Sequence, residues 1–293
     1  MIVGIDIRET AITVVRIDGR GEVIGWETQD GSSAAVVVDA VRAVSGNTPK
    51  RVGAAVRDPT DPNIADVVAA AAGAARVTAA PRVVSTAAAV ALAEQWRGAA
   101  QGTTCIVALV VGDQVSSGFI DHGRVFDGAH GLAGAAGWLA MNPVERDDYR
   151  RLGGLEAEIG PAGIVRRLVW RMKSGDSSDV LDRAGGDVSA ITVGHVFDAG
   201  RAGDGVAVSV VRDTARYIGM AIANLVAVLD PEIVVLGGLI AEAGDLLVEP
   251  ARVEAARRMS PALSAALRIV PGTLGADAAA LGAARAAMLA MPR

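Results

Sequence analysis

The chain writes one local pattern twice. Residues 1–7 (MIVGIDI), 11–18 (AITVVRID) and 22–28 (EVIGWET) are three short apolar runs parted by tight turns. Residues 104–112 (TCIVALVVG), 114–121 (QVSSGFID) and 124–128 (RVFDG) repeat that plan, and the turn IDHGR echoes the earlier IDGRG. Run length and β-branched content make each run a strand, so each triplet is expected to form an antiparallel meander. After the first triplet, SSAAVVVDAVRAVSG reads as a helix opened by Ser and closed by Gly. RVGAAV is then a strand, RDPTDPN a loop, IADVVAAAAGAA a helix, and PRVVS a strand feeding an alanine-rich helix. After the second triplet, helices are expected around 155–173 and 204–229, a strand at 232–238 and a helix near 242–257. The strand LRIVPG and an Ala-rich helix close the chain. A duplicated unit of this kind implies an α/β fold of two lobes with a central cleft. The expected lobes are residues 1–102 and 103–293, with the last helix packing back on the first lobe.

Composition narrows the function classes. Hydrophobic residues make up 51% and aromatics 3%, with 35 glycines, so the core is built of closely packed Ala, Val and Gly. A net charge of −5 leaves no basic footprint, and direct nucleic-acid binding is not expected. The single cysteine, Cys105, excludes an internal disulfide and a Cys-rich metal site. Every apolar run is broken by charge or Gly well short of a membrane span, and no leader is read at the start. A cytoplasmic protein is expected.

The ordered plan resembles the sugar kinase/actin/Hsp70 superfamily, and its details are similar to the ROK branch (repressors, open reading frames and sugar kinases). The most specific stretches are GDGVAVSVVRDTARYIGMAIANLVAVLDPEIVVLGGLIAEAGDLLVEP (203–250) and LGADAAALGAARAAM (274–288). With the N-terminal meander, the resemblance covers nearly the whole chain. It implies an actin-like (ribonuclease H-like, ASKHA) fold and a homodimer formed through the C-terminal lobe. The apolar run DAAALGAARAAMLAM supplies a further motive for that dimer.

Motif by motif, the same resemblance points away from the family's chemistry. The family's first phosphate loop, Asp-x-Gly-x-Thr, falls on DIRET: Asp6 and Thr10 remain, but Arg8 replaces Gly and Glu9 stands beside it. Arg8 offers a guanidinium to phosphate, yet its bulk and the adjacent carboxylate point to an occluded loop. The second phosphate loop falls on GDQVSSG, where Gly112 and Gly118 survive and Asp113 brings negative charge. The strand-to-helix junction VVSTAAAVALAEQW matches Asn-Asp-x-Asn-Ala-Ala, in which Asp is the general base. Ser85 takes the Asn position and Thr86 the Asp position, and both hydroxyls suit a helix N-cap. A hydroxyl cannot replace a base, whose contribution is about 10²–10⁴-fold in rate.

The sugar and zinc motifs depart as well. Ala135 stands at the sugar-binding Glu position and Trp138 at the zinc His position. Asp147, Tyr149 and Gly154 stand where the family has zinc cysteines, and His122, His130 and His195 lack ligand spacing, so no zinc is expected. The link between VGAAV and VVST is short, so part of the family's sugar-covering region is expected to be missing. Glu156 remains, as a sugar ligand or as an acid stabilising the first turn of a helix. Gly237 and Gly238 match the family's adenosine-side glycines. These departures lead to the expectation of a catalytically inactive homologue with a binding or regulatory role, a protein partner and no cofactor. The alternative is an ATP- and Mg²⁺-dependent sugar kinase with a rewired active site.

Overall fold

The structure is a computed structural model that describes residues 1–46 and 49–290. The first triplet forms β1 (Ile2–Ile7), β2 (Ala11–Ile17) and β3 (Val23–Asp30), paired antiparallel with Ile5 opposite Val14 and Asp6 opposite Thr13. Helix α1 (Ala34–Ser45) opens at Ser33, whose hydroxyl accepts from the Val36 N–H, and β4 (Arg51–Val56) joins parallel to β1. Helix α2 (Pro62–Ala74) begins at Pro62 behind an Asp61 cap, two residues before the expected start, because proline's missing N–H costs nothing in a first turn. Strand β5 (Arg82–Ser85) runs parallel to β4, and α3 (Thr86–Arg97) follows it without a gap. The sheet order is β3-β2-β1-β4-β5.

The second sheet contains β6 (Cys105–Val111), β7 (Val115–Asp121), β8 (Arg124–Val125), β9 (Ile233–Gly238) and β10 (Arg268–Pro271), in the order β10-β9-β6-β7-β8. Read from its other edge, the second sheet runs third, second, first, fourth, fifth strand, as the first sheet does. The repeat in the sequence is therefore a repeat of topology. Strand β8 ends at Val125, short of the run expected to 128.

Between β8 and β9 lie α4 (Asp147–Leu152), α5 (Glu156–Ile159), α6 (Pro161–Lys173), α7 (Val180–Arg183), α8 (Val193–Arg201) and α9 (Gly205–Leu229). The helix expected over 155–173 is two helices, because Gly160 is extended and Pro161 begins a new first turn. After β9 come α10 (Leu239–Glu242), α11 (Gly244–Arg258), α12 (Pro261–Ala266) and, after β10, α13 (Ala278–Leu289). None of the helices among the described residues is long and apolar enough to cross a membrane.

The chain forms two compact units, one of Met1–Ala108, Ser117–Gly134 and Gly272–Arg293, the other of Leu109–Ser116 and Ala135–Pro271. In the first unit, one sheet face presents Val3, Ile5, Ile12, Val14 and Val52 to Val37 and Val41 of α1 and Val68 of α2. Alternation turns Gly4 and Gly53, register partners on β1 and β4, to the opposite face. There α13 lies so close that a Cβ on Gly4 would collide with the Ala280 carbonyl, and one on Gly53 with that of Ala283. Gly282 makes the same approach to the Ala89 carbonyl of α3. The alanine-rich end is thus core of the first unit, with Ala280, Ala283 and Ala284 fully buried. It is not the dimer-forming surface read from its composition.

A methyl at Gly4 meets main chain and not a movable side chain. Gly4→Ala should therefore destabilise by about 1–3 kcal/mol, as overpacking does. Gly73→Ala, in α2 with open space around its Cβ, should be neutral or stabilise by up to about 1 kcal/mol. Urea denaturation of the two variants checks this; equal effects would contradict the packing described.

Candidate functional site

In the first unit, the β1–β2 turn places Asp6, Arg8, Glu9 and Thr10. Asp6 is the next-to-last residue of β1 and is 2% exposed. The Arg8 side chain folds back over it: Nε stands 3.4 Å from Asp6 Oδ2, and Nη2 donates to Thr13 Oγ1 at 3.1 Å. Backbone bonds from Arg8 N–H to the Ala11 carbonyl (3.0 Å) and from Gly31 N–H to the Thr10 carbonyl (2.7 Å) fix the turn. Glu9 pairs with Arg57 Nη1 at 2.5 Å, a link between loops that lie 48 residues apart. Arg8 and Asp6 are thus brought together as sequence reasoning placed them, whereas no local signal marks the Arg57–Glu9 pair. The same holds for Arg82 and Asp127, 2.7 Å apart across 45 residues.

The strand-to-helix junction lies in the same unit. Ser85 Oγ accepts from the Ala88 N–H at 3.2 Å, which makes Ser85 the N-cap of α3. Thr86 is the first helical residue, so the capping role read for both hydroxyls belongs to Ser85 alone. The half-buried Thr86 hydroxyl sits in the first turn, where the helix dipole is positive. Gly118 of β7 runs beneath that turn, and a Cβ there would enter the backbone of Ala87 and Ala88.

In the second unit, Gly112 and Asp113 form the exposed β6–β7 turn, with Gly112 N–H bonded to the Gln114 carbonyl at 3.2 Å. Immediately after it, the Val115 N–H donates to Glu156 Oε2 at 2.5 Å. Burial pushes the Glu156 carboxyl up from its ordinary value, and the Val115 N–H works against that. Glu156 therefore holds the end of the second loop to α5. Ala135 and Trp138 flank a 3₁₀ turn, closed by the Trp138 N–H on the Ala135 carbonyl at 3.1 Å, and the Trp138 ring is 60% exposed. Gly137 of that turn packs on Val115 and Glu156. Gly238, with φ +60°, passes close to the carbonyl of Val111, the residue before Gly112; a Cβ would collide there. The turn of Gly112 and Asp113, Glu156, the Trp138 turn and Gly238 thus gather at one end of the second sheet. Among the described residues, no group of three or more His, Cys, Asp or Glu side chains is placed to hold a metal ion.

Residues 74–289 match the profile of the ROK family. The chain belongs to the ROK family. It is 32% identical over 197 residues to the glucokinase of Halalkalibacterium halodurans, covering 66% of this chain and 58% of that enzyme. Against the glucokinase of Thermotoga maritima it is 32% identical over 194 residues, covering 66% and 61%. The match thus spans about three-fifths of the length of these curated relatives. The crystal structure of a ROK family glucokinase from Streptomyces griseus, in complex with glucose and AMPPNP, superposes with a TM-score of 0.79 at 24% identity, covering 98% of this chain and 99% of that one. The fold is therefore the actin-like α/β fold of ROK sugar kinases, with two mixed sheets.

These relatives correct two expectations drawn from the motifs. An inactive homologue is not what a ROK chain with glucokinase relatives at 32% identity points to. The expected absence of a cofactor is likewise overturned, because the relatives are glucokinases and the Streptomyces griseus enzyme is solved with AMPPNP. Reading each substitution as a loss ignored how the rest of the loop is held. Arg8, for example, lies over Asp6 and Thr13.

If Ser85 is the cap, Ser85→Ala should cost about 1 kcal/mol of stability. Thr86→Ala should change stability by less than about 0.5 kcal/mol. Paired thermal melts decide it; a larger loss from the Thr86 variant would contradict the junction geometry.

Proposed function

We propose that this ROK-family chain is an ATP-dependent hexose kinase with a rewired active site. The support is its 32% identity to two glucokinases across two thirds of the chain. Each unit offers residues suited to the substrates. In the second, Gly237 and Gly238 end β9 where the family resemblance puts the adenosine side of a nucleotide, and Gly238, with φ +60°, is held there by close packing on the Val111 carbonyl. In the first, Asp6 is a carboxylate of the kind that holds Mg²⁺, here buried beneath the Arg8 guanidinium, which would have to swing off it to meet phosphate oxygens. ATP, when bound, supplies the transferable phosphoryl group.

The chemistry asked of this chain is positioning. Phosphoryl transfer passes through a loose transition state, so the attacking hydroxyl needs little proton removal before the new bond forms. Ser85 fixes the first turn of α3, and the Thr86 hydroxyl there is able to hydrogen-bond a sugar hydroxyl without ionising. Arg8 would supply positive charge toward the transferred group. The missing carboxylate lowers the rate by up to the about 10²–10⁴-fold that a general base contributes. We further propose that the enzyme is cytoplasmic and, as the family resemblance implies, a homodimer; a monomer mass by light scattering at tens of micromolar would count against the dimer.

With ATP, Mg²⁺ and glucose, mannose or N-acetylglucosamine, sugar-dependent ADP release is expected at a rate below the about 1–100 s⁻¹ usual for kinases. Thr86→Asp should raise kcat by about tenfold or more, and Arg8→Ala should lower kcat/KM. Circular dichroism controls for folding. No sugar-dependent ADP from either the native chain or Thr86→Asp would overturn the proposal.

A further inference from the structure

The second unit holds a cavity of about 780 Å³ between α6, α9, the end of α11 and the segment before α4. None of the phosphate-loop, base, sugar or zinc positions considered above lines it. Its wall carries six arginines, Arg146, Arg166, Arg167, Arg171, Arg216 and Arg258, against two carboxylates, Glu158 and Asp213. Glu158 is 2% exposed and is already shared: Tyr149 donates to its Oε1 at 2.5 Å, and Arg146 and Arg167 each stand 3.6 Å away. Carboxylates outside the wall reach others of the six, with Asp148 on Arg166, Asp176 on Arg171 and Glu254 on Arg258. Arg167 remains underserved. Its Nη2 donates to Thr214 Oγ1 at 2.5 Å, while Nε and Nη1 are buried without a hydrogen-bond partner.

Each of the six guanidiniums has a carboxylate partner, Arg216 on Asp213 at 3.0 Å among them, yet six arginines share five carboxylates, so the wall carries a single excess positive charge. Arg146, Arg216 and Arg258 have side chains about half exposed and able to reach into the cavity. Guanidinium forks match phosphate oxygens two at a time. Beside them, Trp170 lies on the wall with 65% of its surface exposed, and Tyr217 lies beneath Arg167 with the guanidinium 5.8 Å from its ring centre. An exposed indole among arginines suits a flat or puckered ring more than a bare ion. The volume falls within the about 300–1,000 Å³ of small-molecule sites.

We propose that this cavity is a binding site for an organic phosphate, a phosphate monoester carried on a ring. The phosphate lies against the exposed arginines and the ring against Trp170. This proposal is independent of the kinase reading, because it uses none of the residues on which that reading draws. A sugar phosphate and a nucleoside monophosphate share the chemistry, and both are tested.

The test titrates the full chain with glucose 6-phosphate, AMP and inorganic pyrophosphate, followed by tryptophan fluorescence and thermal shift. At least one ring-bearing phosphate should saturate below a few millimolar, raise Tm and alter the fluorescence. The thermal shift should survive Trp170→Phe while most of the fluorescence change is lost. Arg216→Ala/Arg258→Ala should weaken binding tenfold or more, and rising salt should weaken it further. Circular dichroism checks the double variant, and each single variant serves as its replacement. The proposal is overturned if no compound saturates by 10 mM or if pyrophosphate binds as well as the ring compounds. It is also overturned if binding is indifferent to the arginine variants, since the ligand would then sit elsewhere.

Discussion

Main-chain contact between α13 and the first sheet is the constraint on which the first unit depends. Gly4 and Gly53 sit side by side on adjacent strands, and the carbonyls of Ala280 and Ala283 occupy the space where their side chains would be. Gly282 extends the same contact to α3. Three elements far apart in sequence are therefore locked by backbone shape, with alanine methyls filling the remaining volume at interior packing density. That lock fixes α3, and α3 begins at the junction that carries Ser85 and Thr86. The position of the Thr86 hydroxyl thus follows from glycines on other elements.

The loops show a second principle, in which functional side chains are tied down by each other. Arg8 lies over Asp6 and Thr13, Glu9 holds Arg57, and Glu156 holds the Val115 N–H. A glycine phosphate loop offers backbone N–H groups; this chain offers a guanidinium held by a carboxylate and a hydroxyl. In the proposed kinase, this exchange replaces backbone donors by a guanidinium, which is what a rewired site would mean physically.

Much of the fold was legible because strand runs, turns and caps are local. The paired triplets, the β5–α3 junction and the glycine-ended strand β9 all follow from short-range pattern. The break at Pro161 also had a local signal, in the Gly-Pro dipeptide, but helical periodicity on both sides masked it. What was not legible depends on distant partners. The Ala-rich α13 was expected on the first lobe, but its composition also suggested association, because nothing in its own sequence announces Gly4 and Gly53. Thr86 read as a cap because Ser and Thr are equivalent there until the backbone chooses Ser85. The function was misread for a related reason: each altered motif residue was weighed alone. The arginine cavity escaped notice because its six arginines come from four separate stretches of chain.

The central claim is that this chain transfers a phosphoryl group from ATP to a hexose. The most direct measurement follows the label of γ-³²P ATP in the presence of Mg²⁺ and glucose, with the products separated. The account predicts label on the sugar in amounts matching the ADP formed, at a rate that Thr86→Asp increases. Label found only in ATP and inorganic phosphate, with or without sugar and in both proteins, would contradict it.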